Sequence, residues 1–155
     1  QFALNDSMTG FYNRNAYDYF IYNEKNIKNY MVVTFDLNNL KMCNDNYGHS
    51  SGDAYIIHSA HIIETTFDRF GKCYRIGGDE FCCLIPDAAE FQIERFIQKM
   101  QQDIAILNNK NIIPTEVGIA CGYALATPDD ADIEKVRERA DEMMYHNKKV
   151  LKGLI

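Results

Sequence analysis

No apolar run in this chain approaches the roughly 20 residues that a membrane-crossing helix needs, so no transmembrane span is expected. The opening QFALNDS has neither a basic leader nor an apolar stretch, and no signal peptide is read there. It also lacks an initiating Met, so the chain is expected to be a domain of a longer protein, with residues 1–5 as the end of an upstream linker. There are only three prolines and no Gly/Ser/Pro-rich linker, which argues for one further unit over residues 6–155. Positive charge is short: 16 Lys and Arg stand against 22 Asp and Glu, for a net charge of −6. That argues against broad, nonspecific nucleic-acid binding, which needs a basic face. It leaves room for a phosphate ligand, because a bound divalent cation reverses the local sign.

Several motifs are also missing. The five cysteines (Cys43, Cys73, Cys82, Cys83 and Cys121) are odd in number, and none forms a C-x-x-C. This speaks against a disulfide framework or a structural zinc site. Most lie in apolar strand-like runs, where Cys behaves as a small hydrophobe, and a reduced cytosolic setting fits them. No G-x-x-x-x-G-K-[ST] occurs, which excludes a P-loop. The stretch from Asp36 to Lys41 opens like an EF-hand loop but has Lys41 where the invariant Gly belongs. The four histidines do not form H-E-x-x-H.

What is present is an ordinary globular mixture, with 46% apolar and 25% charged residues over 155 positions. A helix is expected over 11–29, starting near Asn13, and a buried strand at MVVTFDL, 31–37. Residues 38–53 read as a short helix at most and a loop. Ile56, Ala60, Ile63, Phe67 and Phe70 recur with helical spacing. CYRI (73–76) and FCCLI (81–85) flank Gly77-Gly78-Asp79-Glu80 as a β-hairpin. A helix follows over about 88–109, then a strand over 117–126 interrupted by Gly122, then a helix capped by Asp132. The expected fold is α/β, a mixed central sheet with helices on both faces.

Three places could carry chemistry. Asp36 stands near the end of the first strand, where it could hold a metal or simply cap a following helix. Asp79 and Glu80 sit beside each other at the hairpin turn, and their repulsion calls for solvent or a cation. If the hairpin lies against the first strand, Asp36 and Asp79 converge into the all-oxygen environment that Mg²⁺ prefers. The stretch from Asn44 to Asp53 offers an amide and a carboxylate that could read a purine edge, or could form Asx-turns and a helix cap.

The order and spacing of these segments make the chain resemble the GGDEF family, the catalytic domain of diguanylate cyclases. The resemblance is carried by Asp6-Ser7-Met8-Thr9-Gly10-Phe11-Tyr12-Asn13-Arg14, by Phe35-Asp36-Leu37-Asn38-Asn39-Leu40-Lys41, and by Asn44-Asp45, Gly48-His49 and Gly52-Asp53. It continues through Arg75-Ile76-Gly77-Gly78-Asp79-Glu80-Phe81 and Ala140-Asp141-Glu142-Met143-Met144-Tyr145-His146-Asn147-Lys148. It implies a nucleotidyl-cyclase or polymerase-palm-like fold whose hairpin carries the signature. It also implies condensation of two GTP into cyclic di-GMP and two pyrophosphates, in a homodimer of facing half-sites.

By motif position, Asp36, the Leu37 carbonyl, Asp79 and Glu80 would hold Mg²⁺ or Mn²⁺. Either Asp79 or Glu80 would take the proton of the attacking hydroxyl. Asn44, His49 and Asp53 would contact the guanosine, Gly77 and Gly78 would admit the phosphates, and Lys148 and Lys152 would bind them. The implied partners are GTP, a second subunit and an upstream sensory domain, with no nucleic acid and no membrane contact. The implied location is the cytoplasm, compatible with a membrane-anchored full-length protein.

Departures from the family pattern are Asn38 for a second Asp, Leu40 for Phe, and Lys152 for Arg, which keeps charge but loses the bidentate fork. No allosteric product site is expected, because Arg69 falls one position late for an R-x-x-D and Gly71 replaces its acid. One residue of displacement on a helix turns a side chain by about 100°. The competing reading is a silent GGDEF domain that binds GTP or a partner. A polymerase palm lacks its basic surface here.

Overall fold

The computed structural model describes residues 3–153. Its centre is β1 (Met31–Leu37), buried at every position. The order continues α2 (Leu40–Tyr47), α3 (His49–Phe67), β2 (Lys72–Arg75), β3 (Glu80–Ile85), α4 (Ile93–Asn109), β4 (Ile119–Leu125) and α5 (Ile133–Leu151), with α1 (Arg14–Asn23) leading in. The strands form one sheet in the order β2-β3-β1-β4.

The α/β layering and the hairpin match expectation, but the sheet is not mixed. All three pairings between named strands are antiparallel. Parallel pairing is confined to an isolated bridge between Tyr12 and Tyr74. Strands separated by helices suggest parallel neighbours, yet here each crossover skips one place. The return strand β3 inserts between β1 and β2, and β1 lies between β3 and β4, which is the split β-α-β arrangement.

Helices cover both faces. Val33, Phe35 and Leu37 pack with Tyr55, Ile63 and Phe67 of α3 and Met100 and Ile104 of α4. The alternate positions, Val32, Cys82, Leu84 and Ala124, pack with Tyr17 of α1 and Ile133, Val136 and Ala140 of α5. All five cysteines are free and buried.

Local chemistry sets the ends. Asn13 caps α1 by accepting the Ala16 N–H at 3.0 Å, and Asp132 caps α5 by accepting from Lys135 at 3.1 Å. The expected break at Gly122 does not occur, and β4 is continuous through it. A Cβ there would lie 2.1 Å from the Ala140 carbonyl oxygen and 2.4 Å from the Met144 nitrogen. Gly122 therefore lets α5 lie close on the sheet, and this brings the last turn of α5 to the end of β1. Ahead of α1, Leu4 accepts the Asn13 N–H at 2.9 Å and Asn5 bridges Tyr12, while residues 1 and 2 lie outside the described residues.

Candidate functional site

Asp36 and Glu80 are direct cross-strand partners at the ends of β1 and β3. Directly opposed residues in an antiparallel pair point to the same face, with Cβ atoms roughly 5 Å apart. The hairpin tip stays on β1, because the Leu37 N–H donates to the Asp79 carbonyl at 3.0 Å. The capping alternative for Asp36 is excluded, since it lies within the ladder and Asn39 holds the N-cap position of α2.

Asp36 is only 4% exposed. Its Oδ2 accepts from Lys148 Nζ at 3.1 Å, while Oδ1 is buried without a hydrogen-bond partner. Burial raises the Asp36 pKa, and the neighbouring Asp79 adds to this against the opposing pull of Lys148. Burial also raises the pKa of Glu80, helped by Asp36, Asp141 and Asp79 and opposed by Arg137. Arg137 is itself held on α5 by Glu134 at 2.9 Å and Asp141 at 3.4 Å.

The hairpin is clamped from behind. Arg75 Nη2 donates to the Gly78 carbonyl at 2.8 Å, and Nη1 reaches both carboxylate oxygens of Asp6 at 3.2 Å. Asp6 is fixed in turn by the Thr9 N–H at 3.0 Å and the Thr9 hydroxyl at 2.8 Å. The D-x-x-T-G opening is therefore a latch on the signature turn, a role sequence reasoning missed. Only Arg75 flanks the signature, and its partner Asp6 lies 69 residues away in sequence, so no local signal pointed to the pairing.

A cleft of about 430 Å³ opens beside this pair, lined by Leu37, Asp79, Lys148 and Lys152 on one side. The start of α2 (Asn39, Leu40, Lys41 and Met42) lines the other. Asn39 takes a left-handed conformation (φ 60°) and makes no side-chain cap. The first N–H groups of α2 are thus left without helix partners, as at any helix start. Lys41 sits in that first turn, where the helix dipole disfavours a cation unless an anion is near, and it pairs with Asp45 at 2.9 Å. Sequence reasoning misses these α2 groups too, because 38–53 reads as a short helix at most and a loop.

Residues 49–53 are in fact helical, since α3 starts at His49. Gly48, at φ +88°, is the elbow that ends α2 and begins α3. Asn44 is half-buried on α2, and His49 and Asp53 are exposed on the first turns of α3. These three are held on two packed helices but do not line the 430 Å³ cleft. Gly77 and Gly78 are exposed at the tip. Neither glycine has a positive φ, and a Cβ on Gly78 would meet nothing within 4 Å. The fold itself does not demand glycine at Gly78.

Among the described residues, no three Asp, Glu, His or Cys side chains gather into a ready-made metal cage. The donor set nevertheless suits a hard cation. Asp36 keeps a buried oxygen without a partner, and burial together with neighbouring acids raises the pKa of both Asp36 and Glu80, which calls for positive charge. Mg²⁺ characteristically takes one or two carboxylates and completes its shell with substrate phosphates and water.

Arg69 lies in the turn after α3, not on the helix that the displacement argument assumed. Its guanidinium stacks 4.7 Å from the Phe70 ring centroid and 5.8 Å from that of Phe96.

A family model described as "Diguanylate cyclase, GGDEF domain" matches residues 3–152. Diguanylate cyclase DgcN of Escherichia coli K12 is 31% identical over 152 residues, covering 94% of this chain and 37% of that protein. Diguanylate cyclase DgcS of Shewanella oneidensis is 27% identical over 155 residues, covering 94% of this chain and 50% of that protein. The chain thus spans half or less of the length of these relatives. Among solved structures, the GGDEF domain of DgcB from Caulobacter crescentus, in complex with c-di-GMP, aligns with a TM-score of 0.82 at 23% identity. That alignment covers 96% of this chain and 92% of the other. The FimX GGDEF domain of Pseudomonas aeruginosa gives a TM-score of 0.79 at 18% identity, covering 96% and 95%. These structural matches establish a shared fold, and the family model extends the match through every motif from the Asp6 latch to Lys148: the chain belongs to the GGDEF domain family of diguanylate cyclases.

Proposed function

We propose that this domain condenses two GTP molecules into cyclic di-GMP with release of two pyrophosphates. The observation that carries the proposal is the cross-strand pairing of buried Asp36 with half-buried Glu80, next to a cleft whose walls hold Asp79, Lys148, Lys152 and the uncapped start of α2. Acids at one end and phosphate-binding groups at the other suit a metal-bound triphosphate.

Asp36, the Leu37 carbonyl, Asp79 and Glu80 would hold Mg²⁺ or Mn²⁺. Held there, the cation would supply activation of the attacking oxygen and neutralisation of leaving-group charge. Lys148 and Lys152 bind the terminal phosphates, as do the first N–H groups of α2. Gly77 and Gly78 leave room for the phosphates beside the hairpin backbone. Glu80 or Asp79 would accept the proton of the 3′-hydroxyl. That oxygen attacks the α-phosphorus of the facing GTP, the bond to the bridging oxygen of the β-phosphate breaks, and pyrophosphate leaves with the electron pair. The same step in the opposite sense closes the ring. Each chain supplies one nucleotide site, so the reaction takes two subunits face to face.

Asn44 and Asp53 read the guanine. The Asp53 carboxylate accepts from the N1–H and exocyclic amine, where adenine presents an unprotonated N1. Product does not regulate through Arg69, which lies one position late and has Gly71 where the partner acid would stand. Among the described residues, no helix is long and apolar enough to cross a membrane. The reading places the domain in the cytoplasm, driven by a sensory segment elsewhere in its protein.

Incubation with GTP and Mg²⁺ followed by product analysis tests the proposal. Cyclic di-GMP is the expected product. GTP binding without product would establish the silent regulatory alternative instead.

A further inference from the structure

Gly52 stands in the first turns of α3, a position where glycine is among the poorest helix formers. It is buried and does not adopt a left-handed φ, so neither exposure nor backbone conformation accounts for it. The surroundings of its missing Cβ do. A Cβ on Gly52 would lie 1.7 Å from Asn44 Oδ1, 2.7 Å from Asn44 Cγ and 3.3 Å from Asn44 Nδ2. These three nearest atoms all belong to one side-chain amide on the facing helix. The elbow at Gly48 creates the juxtaposition by folding α3 back on α2, with the Gly52 N–H returning to the Gly48 carbonyl at 3.2 Å.

We infer that Gly52 is the positioning residue for base recognition: its bare Cα is the seat that holds the Asn44 amide in place. The inference rests on the proposal that Asn44 and Asp53 read guanine, and deepens it. Seated this way, the amide turns its carbonyl toward Gly52 and leaves Nδ2 the atom farther from the seat. An N–H donor offered to the base suits the O6 acceptor of guanine and opposes the exocyclic amine of adenine. The carboxylate next in sequence supplies the acceptor half of the pattern. A methyl group at position 52 would evict the far end of a rotatable side chain and leave the backbone in place. It would therefore misplace recognition without unfolding the helix.

The test is equilibrium binding of nonhydrolysable GTP and ATP analogues to four proteins: wild type, Gly52→Ala, Asn44→Ala and the double variant. Thermal melts run in parallel. The Gly52→Ala protein is expected to melt at or above the wild-type temperature, because Ala favours helix, yet to lose roughly tenfold or more in affinity for the GTP analogue. Its preference for the GTP analogue over the ATP analogue should shrink in step. In the Asn44→Ala background, Gly52→Ala should have no further effect, since the group it displaces is gone. Wild-type affinity in Gly52→Ala, with Asn44→Ala impaired, overturns the inference alone. So does a loss of equal size in both backgrounds. Undiminished discrimination in Asn44→Ala overturns the base-reading assignment and this inference with it.

Discussion

Lys148 Nζ rests 3.1 Å from Oδ2 of Asp36, across 112 residues of sequence, and so places a cation from the last turn of α5 on the most buried acid of the site. The Lys assigned to phosphate is, without nucleotide, the counter-ion of the carboxylate assigned to metal. Replacing Lys148 by Met leaves Asp36 buried with no cation. The ligand-free domain is expected to lose about 1–3 kcal/mol, below the loss for a fully buried pair because the Lys side chain is a quarter exposed. Adding Asp36→Asn should restore most of that loss. Chemical denaturation in EDTA reads both effects, and additive losses in the double variant would contradict the pairing.

Asp36→Asn and Glu80→Gln should each reduce cyclic di-GMP formation to background while the fold persists. The substitutions remove charge from a crowded acidic site, where burial, with neighbouring acids adding to it, already raises both pKa values. Circular dichroism should stay native, and ligand-free melting temperatures should hold or rise. Product formation by wild type in excess EDTA would refute the metal assignment.

The latch gives a pH signature. Burial tends to raise the Asp6 pKa, but the hydrogen bonds from Thr9 and the charge of Arg75 outweigh it and hold the carboxyl below its ordinary value of 3.8. A depressed carboxyl contributes stability that is complete above the unfolded value and is lost as pH falls through the folded one. Asp6→Asn is therefore expected to cost about 1–3 kcal/mol near neutrality. The gap from wild type should close as pH falls below 3.8. Denaturation at pH 7 and at pH 3 compares the two proteins, and a gap that widens in acid would be the contrary result.

Specific activity should rise with protein concentration, or on fusion to a dimerising coiled coil, because each chain contributes a single nucleotide site to the reaction. Initial rates over a dilution series, with the assembly state followed by light scattering, make the check. A constant specific activity in a monomeric sample would be incompatible with facing half-sites.

The residues that local chemistry controls were legible from the sequence. Seven consecutive buried residues gave β1 its boundaries, because an apolar, β-branched run between polar flanks has few alternatives. Asn13 and Asp132 announced the helix starts by their capping oxygens, and the motif order carried the family. Other features depended on which surfaces meet. Strand adjacency turned antiparallel because β3 inserted between strands that their crossovers run in the same direction. A stretch that reads as a short helix at most and a loop is two helices joined at Gly48, packed so closely that Asn44 lies over Gly52. Gly122 looked like a strand break and proved to be the contact that admits α5. The pairing of Lys148 with Asp36 follows from that contact. A local pattern records which face of an element is apolar, but only close packing against distant segments decides which charges end up 3.1 Å apart.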